Sequence, residues 1–177
     1  MAVTLPKINI TFKQLATSFI QRSERGVAVL IVRDATAGGN GYATYTDITE
    51  LENAPYTAAN KQYITDCMTF GPLRCGVAKV GTDGTLADAL ALVTVHEKTG
   101  WITVAGGTDW TALVSWIKAR EKEAKSWKAV VFKAAAPDCM HVVNLYNDKV
   151  TFADSRGQVT GEKYTPSLVG LLAACNV

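Results

Sequence analysis

Four aspartates stand where an α/β sheet would present them to a ligand: Asp34, Asp83, Asp109 and Asp138. Each follows an apolar run that reads as a strand, so each lies at or just past a strand's C-terminal end. That is the edge where open α/β sheets bind ligands. Oxygen donors gathered there would suit Mg²⁺. The same positions have a plainer use. Asp109 and Asp138 begin predicted helices, where an aspartate caps the free N–H groups of the first turn. Capping is the reading adopted, and no metal, cofactor or catalytic residue is assigned. The alternative is a metal-dependent α/β enzyme or ligand-binding protein using Asp34, Asp83 and Asp109.

Other patterns stop short of chemistry. Gly81-Thr82-Asp83-Gly84-Thr85 is one residue away from the Asp-x-Asp-Gly-Thr motif of haloacid dehalogenase-type phosphatases. The first aspartate of that motif is a nucleophile, and Gly81 holds its place here. The segment therefore reads as a turn and a helix cap. Gly38-Gly39-Asn40-Gly41 follows a strand, as a phosphate loop would, but lacks the Lys-Ser/Thr ending and a helix directly behind it. It reads as a turn. His96 and His141 fall in predicted helices beside apolar stripes, with no Ser or Cys at a nucleophile elbow. Cys67, Cys75, Cys139 and Cys175 have neither metal-ligand nor redox spacing. Three of them occupy apolar positions, as small hydrophobes do, which implies a reducing, cytoplasmic setting. Trp101, Trp110, Trp116 and Trp127 suit core or interface packing. Trp116 lies off the main stripe of its helix and is the candidate for a second packed surface.

The elements that must position these residues alternate along the chain. Val27–Val32 is nearly all apolar, as in a strand covered on both faces. Residues 42–56 are polar and turn-rich. A helix is expected from Thr57 to Phe70, with Tyr63, Ile64, Cys67 and Met68 inward and Gly71-Pro72 as its stop. A strand at 75–80 leads to a helix capped by Thr85 and running to Lys98. A strand at 101–105 leads to a helix from Trp110 to Lys125, and a strand at 127–133 follows. Asp138 is expected to cap a short helix with Cys139, Val142, Val143 and Tyr146 inward. A strand at 149–153 and a turn-rich stretch come next. Thr165-Pro166-Ser167 is a strong helix start, and the helix behind it is apolar nearly all round, which demands burial on several sides. This order predicts an α/β fold with a largely parallel sheet and helices on both faces.

Residues 1–25 are expected to form an extended N-terminal arm and hinge outside the α/β domain of residues 26–164. Ile8, Ile10 and Phe12 share one face of the arm, and Lys7, Asn9, Thr11 and Lys13 the other. Such an arm needs a sheet edge to pair with. Arg22-Ser23-Glu24-Arg25-Gly26 is the charged hinge. Residues 165–177 form the apolar helix, expected to lead to a C-terminal domain that this sequence lacks. A net charge of +2 with dispersed basic residues gives no argument for nucleic acid. No signal-peptide pattern or run of about 18 apolar residues is present.

Taken in order, these segments resemble the tail sheath proteins of contractile phage tails, in the form found in Gram-positive phages and phage-tail-like bacteriocin particles. The resemblance begins with Leu5-Pro6-Lys7-Ile8-Asn9-Ile10-Thr11-Phe12-Lys13 and Arg22-Ser23-Glu24-Arg25-Gly26 before the apolar strand. It continues through Gly81-Thr82-Asp83-Gly84-Thr85, Trp116-Ile117-Lys118, Lys128-Ala129-Val130-Val131 and Val142-Val143-Asn144. Gly161-Glu162-Lys163-Tyr164-Thr165, leading to Gly170-Leu171-Leu172-Ala173, completes it. The resemblance implies a structural polymer subunit without catalysis. It implies that residues Ile8, Asn9, Ile10, Thr11 and Phe12 add a strand to a neighbour's sheet while the hinge lets domains rotate. It implies a homo-oligomer of helical rings with a tail tube and a baseplate as partners, without nucleic acid or membrane insertion. The implied location is the tail of a virion or phage-like particle, assembled in the host bacterial cytoplasm.

Overall fold

Val27–Arg33 forms β1, and its first six residues are buried. The computed structural model describes residues 25–107 and 110–175. β1 lies in the middle of a six-stranded sheet with β2 (Gly41–Tyr45), β3 (Arg74–Val80), β4 (Gly100–Val104), β5 (Trp127–Phe132) and β6 (Val142–Leu145), in the order β2-β3-β1-β4-β5-β6. β3, β1, β4, β5 and β6 are parallel, and β2 pairs with β3 antiparallel. Side chains alternate along β1. Val27, Val29 and Ile31 enter one apolar cluster, and Ala28, Leu30 and Val32 enter the other.

Helices cover both faces. On the first, α2 (Leu86–His96) and α3 (Trp110–Lys122) turn Leu86, Leu90, Val93, Leu113, Val114 and Ile117 inward. On the second, α1 (Ala58–Met68) and α4 (Thr165–Ala174) bury Ile64, Cys67, Val169 and Ala173. The connecting helix changes face where the winding direction reverses at β1, as one constant crossover hand requires. Thr85 caps α2 as expected. Its N–H donates to Asp88 Oδ2 at 3.0 Å and its Oγ1 accepts from the Asp88 N–H at 3.2 Å, a reciprocal capping box.

Three sequence expectations need correction. Residues 42–56 are not only turns. Gly41–Tyr45 is the antiparallel edge strand, and Ile48–Leu51 is a 3-10 helix. Residues 138–146 do not form a helix. Val142–Leu145 is β6, because the free edge of β5 needs hydrogen-bond partners: Ala129 N–H donates to His141 O and Lys133 N–H to Leu145 O. The periodicity of Cys139, Val142, Val143 and Tyr146 was compatible with a helix, but β-branched neighbours beside an open parallel edge favour a strand. The cap of α4 is Tyr164 rather than Thr165, whose hydroxyl donates to Glu162 O instead.

The apolar α4 finds its cover largely within the chain. It lies between α1 and strands β1, β4 and β5, with Val169, Gly170 and Ala173 buried and Leu168, Leu171 and Leu172 half-buried. Gly170 sets the crossing with α1, since a Cβ there would lie 2.0 Å from Cys67 O. The C-terminal end of α4 is tied to the start of β1 by Gly26 N–H donating to Ala173 O at 2.5 Å.

A buried carboxylate fastens the loops at the other end of β1. Asp34 is 2% exposed. Its Oδ1 accepts from the Thr36 N–H at 2.8 Å and hydroxyl at 2.6 Å. Its Oδ2 accepts from the Thr57 N–H at 2.8 Å, the Thr57 hydroxyl at 3.0 Å and Asn60 Nδ2 at 2.7 Å. Burial opposes its ionisation, but the hydrogen bonds from Thr36, Asn60 and Thr57 outweigh it and hold the carboxyl well below the usual range. Lys79, also buried, completes the knot by donating to the carbonyls of Thr36, Ala37 and Pro55 at 3.0–3.1 Å.

Two outcomes are expected. Asp34→Ala, which orphans buried N–H groups, lowers the unfolding free energy by about 3 kcal/mol, measured by urea titration. A carboxyl depressed in the folded state stabilises fully above its unfolded pKa of about 4 and loses that contribution as pH falls further. The parent therefore shows an acid slope that Asp34→Ala flattens. Gly170→Ala forces α1 and α4 apart and lowers stability by about 1–3 kcal/mol, seen in a thermal melt.

Candidate assembly surfaces

The aspartates do not form a site. Asp34 faces inward, and its five donors exceed the roughly four lone-pair positions of a carboxylate. Asp83 and Asp138 are exposed, and Asp109 lies outside the described residues. Among the described residues no group of three His, Cys, Asp or Glu side chains is placed to share a metal. Gly81–Thr85 is a turn closed by Gly84 N–H to Gly81 O, leading into the α2 cap. The Gly38–Gly41 loop is a turn entering β2, with Gly38 and Gly39 at positive φ. His96 stacks on Tyr42 at 4.5 Å, and Tyr42 donates to Glu97, which Arg74 also holds at 2.7 Å. Burial and the Glu97 carboxylate push the Tyr42 phenol up, so it stays a donor. Cys67 and Cys75 are buried, with sulfurs 3.9 Å apart.

What the fold presents instead is edges. Within the described residues β2 and β6 each pair on one side only. The β6 edge carries exposed apolar side chains: Met140 is 84% exposed, Tyr146 66% and Val143 37%. Unpaired strand edges flanked by apolar residues are templates for another strand. Sequence reading missed this edge because it took the segment for a helix.

Residues Ile8, Asn9, Ile10, Thr11 and Phe12 of the arm, and Arg22, Ser23 and Glu24 of the hinge, lie outside the described residues. The remaining hinge residues are fastened. Arg25 Nη1 donates to Gly71 O at 3.2 Å, and Gly26 accepts from Leu73 N–H at 3.0 Å besides bonding to Ala173. The chain thus enters β1 beside the last turn of α4.

Two further features lie on the helical faces. The hairpin of β7 (Val150–Thr151) and β8 (Gln158–Val159) is clipped to α1 by Arg156. Its guanidinium grips buried Asp66 at 2.5 and 2.9 Å and lies 3.8 Å from the Phe152 ring. Trp116 stands half-buried on the opposite face, edge-on to Trp127 at 5.2 Å, and lines a groove between α2 and α3.

No family model matches the chain. Over 182 aligned residues it is 32% identical to the tail sheath protein of Clostridium phage phiCD119, covering 96% of this chain and 48% of that protein. The chain thus spans about half the length of that relative. The sheath tail protein of Desulfitobacterium hafniense superposes with a TM-score of 0.64 at 14% identity, over 96% of this chain and 62% of that one. The contracted helical sheath of the anti-feeding prophage gives 0.63 at 12% identity, over 97% and 52%. A chain of the contracted anti-feeding prophage baseplate gives 0.54 at 12%, over 96% and 54%. At these identities the solved structures speak for the fold, which is the α/β architecture expected. Along nearly its whole length the chain is thus similar to a phage tail sheath protein, of which it matches about half.

Proposed function

We infer that the chain is a structural subunit of a contractile tail sheath. The observation that carries this is its 32% identity to a phage tail sheath protein along 96% of its length. The body, with a buried knot in place of an open carboxylate site and one apolar sheet edge, suits assembly better than catalysis. In this reading it is not an enzyme. It polymerises around a tail tube, meets a baseplate at one end, and resides in the tail of a virion or phage-like particle assembled in the host cytoplasm.

The mechanism we propose is strand addition. Residues 7–13 of one subunit pair with a sheet edge of a neighbour, main-chain bonds giving affinity and alternate side chains giving register. Ladder bonds contribute roughly 1 kcal/mol each net, and burial of Ile8, Ile10 and Phe12 about 1.5–3 kcal/mol apiece. Association costs on the order of 4–15 kcal/mol. One arm is therefore marginal, whereas arms repeated around a ring act together once the first has bound. Body contacts are then free to be weak and to rearrange on contraction while the arms stay paired. Because Arg25 and Gly26 are fastened to the body, rotation falls to Arg22, Ser23 and Glu24.

Deletion of residues 1–20 tests this. The expected result is loss of polymers by negative-stain microscopy and sedimentation, with circular dichroism and thermal transition unchanged. Polymerisation equal to the parent's would sink the mechanism.

A further inference from the structure

The groove between α2 and α3 has a volume of about 410 Å³. Leu86, Leu90, Ala91 and Thr94 form one wall, and Trp116 and Arg120 the other. Two features of Arg120 set the character of this wall. Its Nε is shut off from water and has no hydrogen-bond partner among the described residues. Its guanidinium stands 5.5 Å from the Trp116 ring, beside the apolar wall. Glu123 pairs with Arg120 Nη2 at 2.8 Å but divides its carboxylate with Lys125 at 2.9 Å. The groove thus offers apolar walls and an incompletely paired cation, and it fits an apolar side chain carried next to a carboxylate.

The chain displays such a knob on its other face. The 3-10 helix Ile48–Leu51 is anchored by buried Leu51 in the cluster that α1 and α4 cover. Ile48 projects, 43% exposed. Asp47, Glu50 and Glu52 flank it in the sequence. Asp47 is occupied by Thr49, and Glu50 by Thr46. The carboxylate of Glu52 has no partner among the described residues.

We propose that the α2–α3 groove receives the Asp47–Glu52 turn of a second copy of this chain, Ile48 against Trp116 and Glu52 at Arg120. Charge complementarity selects the occupant, and topology selects the symmetry. Knob and groove lie on opposite faces of one sheet, so a subunit cannot fill its own groove. The contact is heterologous: each subunit gives one knob and takes one, and the series stays open unless a rotation closes it. That is the contact an open helical assembly needs. The inference deepens the sheath reading and rests on it, assigning Trp116 and Arg120 to a body-to-body contact separate from the arm.

Charge exchange in the full chain tests it. R120E and E52K each place like charges together and are expected to raise the concentration for half-assembly at least about tenfold in sedimentation velocity. The double variant R120E/E52K returns to near the parent's value. A91R, at an exposed helix position, blocks the groove without touching the core and has the same effect as the single reversals. Thermal melts of E52K and A91R, both at exposed positions, stay at the parent's value, so their loss of assembly is not a loss of fold. Assembly of R120E and A91R at the parent's concentration, or a double variant no better than the singles, overturns the proposal. If the arm deletion abolishes polymers while these variants assemble normally, the groove contact fails and the sheath reading stands. A parent chain that does not assemble at any concentration removes both.

Discussion

Burial of β1 on both faces is the constraint on which the rest depends. Six consecutive residues are shut from water, and each one commits a neighbouring element. Odd positions require α2 and α3; even positions require α1 and α4. The two parallel partners, β3 and β4, require crossovers long enough to carry those helices. At one end of β1 the chain turns into the Asp34 knot, where a single carboxylate holds the loops before β2 and α1. At the other end Gly26 is bound to the last turn of α4. The strand is thus tied at both ends and covered on both sides, which makes the body a block able to move as a unit.

A body tied in this way suits the assembly role proposed for it. The C-terminal strand edge, where an α/β enzyme would keep its ligands, is spent on structure: Asp34 is saturated by its own chain, and Thr85 and Asp88 close a helix cap. The unspent groups lie elsewhere. β6 offers an open edge with Met140, Val143 and Tyr146 exposed, the α2–α3 groove holds an unsatisfied Arg120 Nε, and Ile48 projects from the opposite face among carboxylates. Groove and knob lie on opposite faces of the sheet.

Much of the fold was legible because its elements obey one rule at a time. β1 reads as buried by its unbroken apolar run, and α2 by its cap at Thr85. β2 and β6 escaped because each exists through a neighbour. Tyr42-Ala43-Thr44-Tyr45 becomes a strand only against β3, and Val142–Leu145 only because β5 leaves an edge to fill. Their own short patterns suit turns or a helix as well. The greasy character of α4 was read correctly, but its cover could not be: α1 and three strands supply most of it, and Gly170 is the residue that lets α1 come close. The aspartates were visible as a row, but Asp138 caps no helix, because the segment behind it is β6. Saturation of Asp34 depends on Thr57 and Asn60, more than twenty residues away. For the same reason the surfaces were hardest to read: Trp116 stood out by its helical phase, whereas its partner Arg120 gains meaning only from a groove.

Electron microscopy of the protein expressed from its complete reading frame tests the central claim most directly, that this body is a unit of an open helical polymer. The account predicts long hollow tubes of uniform diameter, in which the α/β body repeats without refolding. Monodisperse globules at every concentration and salt condition would contradict it.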